Sequence, residues 1–174
     1  MRSEILEKRK MYQVFNDIAL KNEIVIFGST YTAKFPFYEV ARKYYLDSAL
    51  YNRSIEGITT AEAAEILNEC VIGVKPSKIF LALGECDKSC EETISSYGKI
   101  ISEIKNAIPS AQIYALSIPG GKEELNESLK TMCKNEQIDF ISVDYSVAYA
   151  SVFKQLSIFF RKGKIDFCDA FKIS

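Results

Sequence analysis

The chain has 174 residues, enough for one domain with one substantial core and too few for two. Its 22 basic and 23 acidic side chains leave a formal charge of −1 with no basic stripe interleaved with aromatics, which argues against nucleic acid as a partner. There is no histidine, which removes the commonest general base and the commonest metal ligand, and the five cysteines form no CxxC pair, so neither a metal site nor a disulfide framework is expected.

Met1-Arg2-Ser3-Glu4 leads into a charged amphipathic segment, not into the apolar core of a signal peptide. No apolar run approaches the roughly 18 residues of a membrane span, so a cytoplasmic protein with no membrane partner is expected. Residues 3–20 carry Ile5, Leu6, Met11, Val14, Phe15, Ile18 and Leu20 close to a 3.6-residue period and predict an amphipathic helix. A first strand follows over 23–27. Its apolar run stops at Gly28, and Ser29, Thr30 and Thr32 then offer three aliphatic hydroxyls in four residues. Gly28 permits a tight turn or a close backbone approach, and the hydroxyls supply donors, acceptors or a nucleophile. The bland alternative is a helix N-cap and a turn.

Pro36 suits a first helical turn, with Phe37, Val40, Ala41, Tyr44 and Tyr45 as an apolar stripe, before a second strand near 48–52. The polar loop from Asn52 to Thr60 closes with a hydroxyl N-cap on a helix over Ala61–Val71. Lys75-Pro76-Ser77 breaks that helix, residues 78–83 form a buried strand, and Gly84-Glu85-Cys86-Asp87 ends it. A helix over 91–107, a strand over 112–117, a helix over 122–135, a strand over 138–143 and an aromatic-rich helix over 144–160 complete the alternation. Residues 161–174 read as an irregular tail. The group Tyr145, Tyr149, Phe153, Phe159 and Phe160 suits either the core or a partner surface, and with it a homo-oligomer. Five strand–helix alternations predict an α/β fold: a three-layer, doubly wound sandwich on a five-stranded parallel sheet in flavodoxin-like order.

Asn52-Arg53-Ser54-Ile55-Glu56-Gly57-Ile58-Thr59-Thr60 resembles the second block of the SGNH or GDSL hydrolases, Asn-Arg-Gly-Ile-x-Gly-x-Thr-Thr. Lys75-Pro76, a strand, and Gly84-x-x-Asp87 resemble the third, and Gly28-Ser29-Thr30-Tyr31-Thr32 stands where that family has Gly-Asp-Ser-x-Thr. The resemblance covers residues 24–145 and implies a three-layer α/β fold. Members of that family are esterases, lipases, thioesterases and carbohydrate deacetylases, so a small acyl or carbohydrate ligand is implied, with no cofactor.

Residue by residue, the resemblance puts the nucleophile position on Thr30 and the neighbouring aspartate on Ser29. The oxyanion-hole positions fall on Gly57 and on Cys86, where the family has asparagine. A thiol is a far weaker donor than an amide, and threonine's extra methyl restricts its approach to a carbonyl. The last block, Asp-Gly-x-His, overlays Asp169-Ala170-Phe171-Lys172, so Lys172 takes the histidine position and Asp169 its partner. A lysine base would need its pKa lowered from about 10.4 to about 7–8. Ser29, Asn52 and Asp87 are candidate ligand-binding residues, with loop ordering as the alternative for Asn52. Cys86 is itself a candidate nucleophile, opposed by the adjacent carboxylates of Glu85 and Asp87, which raise a thiol pKa.

Three functions follow as expectations. The first is a catalytically impaired hydrolase relative that binds a ligand or partner. The second is an active esterase built on Thr30, Gly57 and Lys172. The third is a flavodoxin-like protein whose hydroxyl loop cradles the phosphate of flavin mononucleotide.

Overall fold

The computed structural model describes residues 2–44, 46–120 and 122–161. Asp169 and Lys172 lie outside the described residues. Five parallel strands, β1 (Ile24–Gly28), β2 (Leu50–Asn52), β3 (Lys78–Ala82), β4 (Gln112–Leu116) and β5 (Asp139–Ile141), form one sheet in the order β2-β1-β3-β4-β5. This is the flavodoxin-like order.

The strands alternate side chains between two cores, as their period of two requires. Val25, Phe27, Ile79, Leu81, Ile113 and Ala115 point to one face, where they meet α1 (Ser3–Ile18), α4 (Thr60–Glu65), α5 (Leu67–Cys70), α6 (Cys90–Ala107) and α7 (Glu123–Glu136). Ile24, Ile26, Phe80, Tyr114 and Leu116 point to the other, under α3 (Phe37–Ala41) and α8 (Tyr149–Ser157). Phe80 and Tyr114 are register neighbours and stack with ring centroids 4.8 Å apart. Burial on both faces explains why these strands read as unbroken apolar runs.

Four of the differences from the sequence reading have a local physical cause. The hydroxyl segment is not a loop, because α2 (Thr30–Lys34) begins directly after Ser29. The helix expected over 61–71 splits at Ile66, whose backbone turns out of helical geometry at φ −117° and ψ 14°. Ile66, Leu67, Cys70, Val71 and Val74 are all fully buried, more than one stripe of a straight helix can hide. The N-cap is Thr59, one residue earlier than read, because its hydroxyl pairs with Glu62 three positions on in a capping box. Helix α8 starts at Tyr149 instead of 144, because the Asp144 carboxylate accepts from the Ser146 N–H at 2.9 Å and holds a turn there. Phe153 and Phe160, two of the five aromatics read as a possible partner surface, are fully buried in the second core.

Lys78, the first residue of β3, is buried, and its ammonium donates to the carbonyls of Phe159 and Arg161 beyond α8. Loss of hydration lowers its pKa. Among the described residues no helix is long and apolar enough to cross a membrane.

Burial raises the phenols of Tyr12, Tyr97 and Tyr145 well above the ordinary value near 10. The folded chain therefore holds these protons more tightly than the unfolded one. Their contribution to stability is complete below about pH 10 and is lost as pH climbs toward the raised native values. Urea midpoints should fall as pH climbs past about 10, with the phenolate absorbance of these three buried tyrosines appearing only together with loss of helical circular dichroism. Phenolate titrating fully near pH 10 in a still-folded protein would contradict this packing.

Candidate functional site

At the carboxyl edge of the sheet β1 and β3 run so close that an added Cβ on Gly28 would lie 2.6 Å from the Ala82 carbonyl and 2.3 Å from Thr32 Oγ1. The glycine is there for space, and the contact brings the segment after β1 against the turn after β3. Ser29 occupies the N-cap position of α2, yet its hydroxyl turns inward and donates to the Ile58 carbonyl at 2.9 Å. Glu85 supplies the missing cap, its Oε2 accepting the Tyr31 N–H at 2.8 Å. The Gly57 N–H donates to Thr30 Oγ1 at 3.0 Å, and Gly57 holds φ +71°, a left-handed conformation that other residues adopt at a cost. Cys86 Sγ lies 3.2 Å from Ser29 Oγ and 3.5 Å from Thr30 Oγ1.

Proton counting gives this cluster a direction. Ser29 has one hydroxyl proton and uses it on Ile58, so in the Ser29–Cys86 contact the thiol donates. With the thiol proton committed, the Thr30 hydroxyl is the donor to sulfur. The chain runs from Thr30 to Cys86 to Ser29 to a backbone carbonyl. Among the described residues no carboxylate, amine or imidazole takes part in it, and none stands next to Thr30 as the base that activates a hydroxyl nucleophile.

The loop carrying Gly57 is clamped from both sides. On the α2 side, Ile55 N–H donates to the Gly28 carbonyl at 3.0 Å and Lys34 pairs with Glu56 at 2.6 Å. On the other side, Arg2 forks onto the Glu62 carboxylate at 2.9 and 2.8 Å and donates to the Gly57 carbonyl at 2.6 Å. Arg2 is the leading reason that the Glu62 carboxyl sits below its usual range. The turn after β3 is tied down by Tyr97, whose hydroxyl accepts the Leu83 N–H and donates to the Leu83 carbonyl, and by Lys122, whose ammonium donates to the Gly84 and Asp87 carbonyls.

Of the residues singled out from sequence, Thr30, Gly57, Cys86 and Ser29 come together. Thr30, Gly57 and Cys86 are partly exposed, while Ser29 is fully buried and offers solvent nothing. Asp87 and Asn52 are committed elsewhere. Both Asp87 oxygens accept from the Thr60 N–H at 3.1 Å, and Asn52 spans the Thr32 carbonyl and the Ser54 N–H. These contacts make both residues loop braces. The bracing roles of Glu85, Arg2, Tyr97 and Lys122 went unread. Only Glu62, which orients Arg2, had a local signal, the Thr59-x-x-Glu62 spacing. Among the described residues no group of three or more His, Cys, Asp or Glu is placed to hold a metal.

No family model matches the sequence, and no curated protein matches it. Solved structures do resemble the fold. A protein from Streptococcus pneumoniae described as a platelet activating factor superposes with a TM-score of 0.78 at 19% identity, covering 90% of this chain and 92% of its own. An acylhydrolase from Bacteroides fragilis gives 0.65 at 15% identity over 76% of this chain and 75% of that one. A GDSL-like lipase from Bacteroides thetaiotaomicron gives 0.64 at 15% identity over 77% of each. The chain has the SGNH/GDSL hydrolase fold. The three blocks read from sequence lie after β1, β2 and β3, at one edge of the sheet.

Two substitutions test the clamps. Gly57→Ala should cost about 1–2 kcal/mol by urea unfolding from backbone strain alone, since its Cβ would meet only Arg2 at an ordinary 3.6 Å. Tyr97→Phe orphans both backbone groups of Leu83 and should cost about 1–3 kcal/mol. A neutral Tyr97→Phe would refute that role.

Proposed function

We propose that this is a hydrolase-fold protein that has lost ester turnover and uses the Thr30–Gly57–Cys86 edge to bind a small acyl or carbohydrate ligand. The observation that carries the reading is the direction of the hydrogen-bond chain: the Thr30 proton goes to a thiol sulfur, and the 174 residues contain no histidine to take it instead. The blocks shared with SGNH/GDSL hydrolases and the likeness to acylhydrolase and lipase structures support the ligand class. The Gly57 N–H, still directed into the site, supports recognition of a carbonyl oxygen.

The flavin alternative is disfavoured by charge. A phosphate at the start of α2 would need the Tyr31 N–H, and the Glu85 carboxylate already occupies it. The Ser29 and Thr32 hydroxyls are likewise spent on backbone carbonyls.

Breaking a Ser-His-Asp constellation removes about 10⁴–10⁶ in rate. Steady-state hydrolysis of p-nitrophenyl acetate and butyrate should therefore sit at or near the uncatalysed rate. The double variant Thr30→Ser with Cys86→Asn should stay there too, because neither change supplies a base. Sustained turnover by the unmodified protein, abolished in Thr30→Ala, would overturn the reading in favour of a Thr30-based esterase.

A further inference from the structure

Helix α1 spends one face on the core and leaves another open. Ile5 and Tyr12 are buried, and Arg9 and Asn16 bond to Glu69 on α5, which uses the first face fully. Met11, Val14, Phe15 and Ile18 follow the spacing i, i+3, i+4, i+7 and form a second stripe. Among the described residues eight large apolar side chains are exposed, and five of them lie between positions 6 and 20, so the uncovered apolar surface is concentrated on this element. Ile18 is 81% exposed and Val14 66%. The stripe continues to Leu20, whose N–H donates to the Tyr51 hydroxyl of β2, the strand that ends the sheet.

The charges along the stripe say what can cover it. Lys10 and Asp17 stand seven residues apart on one flank, and Lys8 and Phe15 stand seven apart on the other. Among the described residues Lys8, Lys10 and Asp17 make no ion pair. A parallel pairing of two such helices would set Glu4 and Glu7, which continue the stripe toward its amino end, against their own copies. Like charges in a seam repel. In an antiparallel pairing about a two-fold axis beside Val14, each flank meets the same flank reversed. Lys10 then faces Asp17 of the second copy, twice by symmetry, and the stem of Lys8 lies along Phe15. Met11 packs on Val14, and Ile18 reaches the stem of Glu7 at the end of the seam. A formal charge of −1 per chain adds little repulsion between the two copies.

We infer that the outer face of α1 is a self-association surface, through which two copies of this chain pair antiparallel as a two-fold dimer. Arg2, one residue before α1, holds the Gly57 carbonyl, so the pairing helix is also the one that fastens the loop beside Thr30.

The test is sedimentation velocity of the full chain across the micromolar range, where the expected result is a concentration-dependent shift from one chain mass to two. Ile18→Glu should stay monomeric throughout with unchanged helical circular dichroism, because that side chain is already exposed in the single chain. Lys10→Asp and Asp17→Lys should each weaken the dimer about tenfold or more by placing like charges together. The two changes combined should restore it, since the pairs are rebuilt with their signs exchanged. A chain that is monomeric at every concentration, a dimer that Ile18→Glu leaves intact, or a double variant no tighter than the single ones overturns the inference. A monomer that instead sediments with vesicles of anionic lipid gives this face to a membrane surface and overturns it as well.

Discussion

Between Gly28 on β1 and Ala82 on β3 there is no room for one more carbon atom. That constraint sets the rest of the site. With a side chain at 28 the strands would separate, Ser29 would lose its backbone bond to Ala82, and the turn carrying Cys86 would move off the two hydroxyls it touches. The apolar faces of both strands fix how close they run, and the glycine lets the polar ends follow.

Much of the fold was legible because parallel strands covered on both sides read as unbroken apolar runs, and each run here ends at a glycine, a proline or an Asn/Asp-rich turn. Where the reading slipped, tertiary demand overrode local pattern. The stretch from Ile66 to Val74 has too many apolar residues for one helical face, so the chain bends to bury all of them. Asp144 held a turn where an aromatic helical period alone would have carried on.

The candidate site was legible in its positions and less so in its wiring. The three blocks located Thr30, Gly57 and Cys86, since order and spacing survive even where residues have changed. The partners of those residues are far apart in sequence. Glu85 caps a helix that starts 55 residues earlier, and Arg2 holds a carbonyl at Gly57. No local pattern announces such pairs. The hydroxyls of Ser29 and Thr32 looked like ligand donors because their acceptors, Ile58 and the Ser29 carbonyl, appear only once the chain is folded.

The Lys78 ammonium has a consequence for reach. By gripping the carbonyls of Phe159 and Arg161, it fixes position 161 at the amino-terminal rim of the sheet, while Thr30 stands on the opposite rim. The five residues of β3 separate those rims, about 16 Å at 3.3 Å per residue. That depth parts the carbonyls gripped beyond α8 from the hydroxyl cluster. Cys86, by contrast, is delivered by β3 itself and arrives at the rim with the strand.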